Sequence, residues 1–262
     1  MFTLYQLFQC GLIGNLDLTP LSGLGGSFRV SNHPLQTGIT HSNTTQIFTN
    51  YQVFQNNLIG NLDLTPIVNL GGVFNASNNL SLTGITHSPS NQNFSQFSVV
   101  NCDITGTYDL SIFTNLGGAN IAVSPCKLNL HLNNNLQNVI FPTVNTFFRN
   151  SNNDPGNASL SFYGCNLDYI DFKPLSGITL LTGVTQGNPR VELQDNGMSA
   201  GDVNHILVDF SGNTVVNPTG WSNVTLNIGG SNINPDSSSG GFDGLAAIAF
   251  LTGSPYNWTI TY

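Results

Sequence analysis

The residues of this chain that are chemically capable come in rows. Asp17, Asp63 and Asp109 stand 46 residues apart, and Asp171 sits in a matching local context. His41 and His87 are also 46 apart, each closing a Gly-Ile-Thr-His segment. Cys10 and Cys102 bracket Asn56 at the same interval. Paired carboxylates hydrolyse glycosides, but a working pair needs two carboxyls tuned apart by different surroundings. A row made by repetition gives every Asp the same surroundings. Stacked strands lie ~4.8 Å apart, so a two-rung step puts successive Asp residues about 9.6 Å apart. That is near the upper limit for an inverting pair, and too far to share a calcium ion with bonds of about 2.4 Å. The expectation is therefore structural: an Asp between two leucines points outward and meets nearby backbone N–H groups. His41 and His87 are likewise too far apart to share zinc, and no Cys or Asp completes a set at ligand spacing. His33, His131 and His205 read as isolated, Glu192 is the one glutamate, and no Ser-His-Asp or Cys-His motif stands out. No catalytic residue, metal or cofactor is expected, and the chain is not read as an enzyme.

The elements that would position these rows come from the same repetition, which is sought first because it decides the fold. Gly14-Asn15-Leu16-Asp17-Leu18-Thr19-Pro20 recurs as Gly60-Asn61-Leu62-Asp63-Leu64-Thr65-Pro66 and, degraded, from Gly106 to Ile112. Gly25-Gly26 before Phe28 recurs as Gly71-Gly72 before Phe74; with Gly117-Gly118 these pairs read as tight turns before strands. The 46-residue unit splits into halves of 23: Tyr51-x-Val53-x-x-Asn56-x-Leu58 matches Phe74-x-Ala76-x-x-Asn79-x-x-Leu82. This pattern resembles the leucine-rich repeat, L-x-x-L-x-L followed by x-x-N/C-x-L. The resemblance implies a mostly β (β/α) solenoid, with 23-residue rungs paired into 46-residue repeats. It also implies a ladder of side chains that hydrogen-bond the turn after each strand: Cys10, Asn56, Asn79, Cys102, Cys165 and Asn196. One rung stays open between Cys126 and Asn135. Cys10 and Cys102, four rungs apart, are beyond disulfide reach, so the ladder implies buried thiols.

The chain reads as one solenoid over 1–262. Residues 1–142 are regular repeats, 143–158 a loop insertion of Asn, Ser, Pro and Gly, and 159–262 irregular repeats with a helix-containing cap. Ser199 is a candidate N-cap for a helix carrying Val203, Ile206 and Leu207, with Asp202 in its first turn. A strand follows over 224–228, then a second helix over 242–251 and a closing strand over 257–262. This C-terminal run resembles leucine-rich-repeat proteins of Bacteroidetes bacteria and their phages, in which helices would cap the solenoid end.

Only 7% of the 262 residues are charged and the net charge is −8, against about 25% charged in an average domain. The five basic residues are scattered, which disfavours nucleic acid, and no apolar run is long enough to span a membrane. The N-terminus lacks the basic and apolar stretches of a signal peptide, and Tyr5-x-Leu7-x-x-Cys10 is already a core rung. That end is expected to pack on other virion subunits or on a second copy. Function is expected on the concave face, where the residues between core positions point outward. Gln6, Phe8, Arg29, Gln52, Phe54, Asn75, Ser98, Tyr163, Glu192 and Gln194 are the candidates. Phe8, Phe54 and Tyr163 share one outward slot, where they either stack on sugar rings or pack on one another across strands. The expectation is a non-enzymatic module on a phage virion surface that binds a host surface glycan or protein. A secreted or cell-surface bacterial adhesin is the alternative, and a polysaccharide-degrading solenoid a remote one.

Overall fold

The computed structural model describes residues 2–21, 23–42, 46–88, 92–113, 115–116, 127–143, 147–149, 158–181 and 188–262. Side chains alternate across a strand, and that alternation sets the faces here. In Leu24–Ser31, Phe28 and Val30 are buried, and Arg29 between them is half-buried. Ten parallel strands follow one another in chain order across one sheet. They are Phe2–Phe8, Leu24–Ser31, Ile47–Gln52, Asn69–Asn75, Gln92–Ser98, Lys127–Asn129, Leu160–Ser161, Arg190–Glu192, Thr225–Asn227 and Thr259–Thr261. Asn115–Leu116 adds a side branch on Gln92–Ser98.

On its return to the sheet the chain forms short parallel strands that pair two by two. Ile13–Asp17 pairs with Leu35–Thr40, Ile59–Leu64 with Ser81–His87, Thr105–Asp109 with Asn135–Ile140, and Phe147–Arg149 with Thr179–Leu181. The fold is thus mostly β and solenoid-like, with two α-helices among the described residues. The strand Phe147–Arg149 lies inside the stretch read as a loop insertion; residues 144–146 and 150–157 of that stretch are outside the described residues, as is Cys126.

The glycine pairs are not turns. Gly25-Gly26 and Gly71-Gly72 lie within strands, at register shifts against the neighbouring strands. Gly26 and Gly72 have φ of +70° and +63°, and a Cβ there would meet the carbonyl oxygens of Thr3 and Thr49 at 2.4 and 2.1 Å. They are bulges that let adjacent rungs approach. Gly117-Gly118 lies outside the described residues.

The interior holds an aromatic column. Tyr5, Phe28, Tyr51, Phe74 and Phe97, one from each successive strand, stack at 5.3, 5.0, 5.8 and 4.9 Å, within 21° of parallel. Each such pair adds about 0.5–1.5 kcal/mol beyond its burial. His41 and His87 flank this column, both buried. His41 Nε2 lies 2.7 Å from the Tyr51 hydroxyl, and His87 Nε2 lies 2.9 Å from the Tyr108 hydroxyl. The repeat equivalent of Tyr51 is Phe97, and that of Tyr108 is Leu62. Each imidazole therefore keeps one hydroxyl, from different strands, as a buried polar ring requires.

A second column runs along the turns. Asn56 donates to the Val30 carbonyl (2.8 Å) and accepts from the His33 N–H (2.9 Å). Asn79 donates to the Val53 and Ala76 carbonyls, both at 2.8 Å, and accepts from Leu58 N–H at 3.2 Å. Asn196 repeats the arrangement with the Phe162 and Leu193 carbonyls and Cys165 N–H. The thiols of Cys102 and Cys165 donate to the Ala76 and Leu130 carbonyls at 3.3 and 3.4 Å. Burial pushes both thiols up to about 12.

Three members were not anticipated. His33, half a repeat after Cys10, is buried, with Nε2 at 3.3 Å from the Leu7 carbonyl. Asn133 bonds the Val99 and Leu130 carbonyls at 2.7 and 2.6 Å, so the open rung belongs to it. Asn135 is exposed and binds Asp103 instead. Asn232 bonds the Leu193 and Ile228 carbonyls and receives Asn196 N–H. Cys10 departs from the buried-thiol expectation. It is a free, exposed thiol, 3.9 Å from His33 Nε2, because Phe2–Phe8 is the outer strand of the described sheet.

The residue before every turn member except Asn232 is left-handed. Gln9, Asn32, Gln55, Asn78, Asn101, Leu132 and Asp195 have φ between 49° and 64°. Amides and Asp tolerate this region, whereas leucine has no local hydrogen bond to offset the steric cost. Leu132→Asn is expected to raise stability by about 1 kcal/mol, read as a higher urea midpoint at unchanged slope. An equal or lower midpoint refutes strain at this position.

After the strand Arg190–Glu192 the return changes type. Helix α1 spans Ala200–Val216, with a capping box between Ser199 and Asp202. It buries Val203, Ile206, Leu207 and Phe210. Buried Asp209 fastens it to the preceding rung, accepting from the Tyr169 hydroxyl (2.7 Å) and pairing with Lys173 (3.2 Å), while Asn213 donates to the Phe172 carbonyl (2.9 Å). Helix α2, Gly244–Thr252, is capped by Asp243. The helices replace returning strands and do not end the sheet; Thr259–Thr261 is its last strand.

Candidate ligand-binding face

Register brings the outward residues into two rows. In the first, Gln6, Arg29, Gln52, Asn75, Ser98, Asn129, Ser161, Glu192 and Asn227 are successive cross-strand partners. The second lies two residues further along each strand. There Phe8 pairs with Ser31, and backbone bonds continue the row through Phe54, Ser77, Val100, His131, Tyr163 and Gln194.

The candidates are not equally open. Gln6 is exposed, and Phe8 is 47% exposed. Arg29, Gln52, Phe54, Asn75, Tyr163 and Gln194 are half-buried. Two do not face solvent as expected. Ser98 is buried, a short side chain flanked by the amides of Asn75 and Asn129 in its row. Glu192 is fully buried and paired with Arg190 on its own strand. Burial raises its carboxyl and Arg190 opposes that rise.

Phe8, Phe54 and Tyr163 do not pack on each other. Phe8 and Phe54, two rungs apart, hold the Arg29 guanidinium between them, its central carbon 5.7 and 5.1 Å from their centroids. Tyr163 stacks on His131 at 4.4 Å, and His131 Nδ1 lies 2.9 Å from Ser161 Oγ. His131 was missed because its rung lies 31 residues, not 23, after the one before it, counted from Cys102 to Asn133.

The Asp row is structural in its bonding. Asp17, Asp63, Asp109 and Asp171 are exposed, and each accepts from the N–H two residues on at 2.8–3.0 Å. The Thr19 N–H holds the Asp17 carboxyl below the usual carboxylate range. Asp63 and Asp109 border open clefts of about 360 and 310 Å³ between one strand pair and the next. Among the described residues no group of three or more His, Cys, Asp and Glu is placed to hold a metal ion, and no helix is long and apolar enough to cross a membrane. No protein-family model matches the chain, and neither curated proteins nor solved structures return a match.

Proposed function

We propose that this chain is a leucine-rich-repeat recognition module, non-enzymatic and carried on a phage virion surface. It binds a host surface glycan or protein through the outward face of the main sheet. The repeat type rests on the Asn and Cys column, which has the bonding that the resemblance implies. The function rests on one observation: exposed Phe8 and half-buried Phe54 lie on that face with the amides of Gln6, Gln52 and Asn75 beside them. Aromatic faces flanked by neutral donors and acceptors are the surface that sugar rings and their hydroxyls require.

Phe54→Ala tests it against a glycan array and host-cell pull-down, with melting measured in parallel. The expected result is about tenfold or greater loss of binding with melting lowered by only a few degrees. A clear fall in melting with binding intact makes the ring part of the scaffold and removes the reading.

A further inference from the structure

The cation clamped between Phe8 and Phe54 narrows the ligand, given the recognition reading above. Ser31 is the cross-strand neighbour of Phe8, and the Asn32 N–H bonds the Phe54 carbonyl, so Ser31 lies between the two rings in their row. Its short side chain leaves that space open, and the guanidinium of Arg29, two residues back on the same strand, occupies it. Its central carbon lies within cation–π distance of both rings. The side chain is thereby ordered before any ligand arrives, which lowers the entropy cost of binding.

The N–H donors of the guanidinium remain. Among the described residues Arg29 joins no ion pair, and its Nε is buried without a hydrogen-bond partner. Arg190, on the same sheet, has Glu192. In a chain of net charge −8 an Arg without a carboxylate goes against composition. The terminal N–H donors of a guanidinium form a fork that matches a carboxylate bidentately. Gln6 and Gln52, its direct neighbours on either side in the row, supply amides for adjacent hydroxyls.

We infer that Arg29 reads the carboxylate of an acidic sugar, so that the ligand is a uronic- or sialic-acid-containing glycan. Phe8 and Phe54 hold the guanidinium in place, and the carboxylate docks on its terminal fork.

An array of neutral, carboxylated and carboxyl-reduced glycans, probed with the intact chain, tests this. Carboxylated glycans are expected to bind best, and carboxyl reduction is expected to weaken them about ten- to hundredfold. Arg29→Gln should bind carboxylated glycans no better than wild type binds the reduced ones. Arg29→Lys keeps charge but loses the fork, and should recover less than half of the lost binding free energy. Both variants should melt within a few degrees of wild type. Neutral glycans bound at an affinity that Arg29→Gln leaves unchanged would overturn the inference while leaving sugar recognition standing. Titration of the Arg29 Nε–Hε NMR signal with galacturonate and N-acetylneuraminate gives an independent readout; no shift with either acid also overturns it. If no glycan of any class binds, sugar recognition falls and this inference falls with it.

Discussion

Acidification from pH 6.5 to pH 4 is expected to remove about 5 kcal/mol of folding free energy. The cause is the pair of buried imidazoles. Burial lowers His41 to about 4 and His87 to about 3, whereas in the unfolded chain both take up protons near pH 6.5. Between those limits the unfolded state binds more protons than the folded one. Stability therefore rises with pH across the window and is lost as pH falls through it, at about 1.4 kcal/mol per pH unit for each histidine. The loss is a large fraction of the roughly 5–15 kcal/mol by which a domain is stable, so the urea midpoint is expected to fall steeply toward pH 4. Urea titrations at pH 7.5, 6.5, 5.5 and 4.5 measure it. His87→Gln, less stable at neutral pH, should halve the slope below pH 6.5. A slope unchanged in that variant would place the acid sensitivity elsewhere.

The second large effect is at Asn79. This fully buried amide satisfies two carbonyls and one N–H, drawn from its own rung and the one before it. Asn79→Ala leaves all three buried without partners, at about 1–3 kcal/mol each before relaxation. A loss of roughly 3–6 kcal/mol is expected, seen as a collapse of the urea midpoint. Asn79→Cys should cost about half as much, because Cys102 and Cys165 show that a thiol bonds the same carbonyl position. If Ala and Cys are equally destabilising, the thiols are not substituting for the amide, and the column is held by packing.

The first hundred residues were legible because their rungs keep one length. Cys10, Asn56, Asn79 and Cys102 fall in place by counting in steps of 23, and His33 obeys the same count, although its ring disguised it. Beyond Cys102 the steps lengthen to 31, 32, 31 and 36, ending at Cys165, Asn196 and Asn232 by way of Asn133. In the first long rung Leu116 and Lys127 pair with Phe94 and Gln96 of one neighbouring strand, so the sheet register survives while the arithmetic fails. The glycine bulges were not legible at all, since the atoms that exclude a side chain, Thr3 O and Thr49 O, belong to the neighbouring rung. Alternation put every candidate of the ligand face into its slot. It does not carry the height of cross-strand neighbours, which buries Ser98, nor the Arg190 contact that draws Glu192 in. The row of Phe8, Phe54 and Tyr163 was legible as a row, but the rings interleave with Arg29 and His131 instead of touching.

The exchange of hydroxyls beside the two histidines bears on how such a chain diverges and recombines. Tyr51 with Leu62 in one unit stands where Phe97 with Tyr108 stands in the next. A crossover between the first and second of these positions yields one hybrid with two hydroxyls against a single imidazole, and a reciprocal hybrid with none. Either product buries a polar atom without a partner, so neither parent unit can be shuffled by halves. The smallest cassette that transfers intact spans both sites and the histidine before them. The unit that carries its own complement of buried polar groups is therefore the 46-residue pair, not the 23-residue rung.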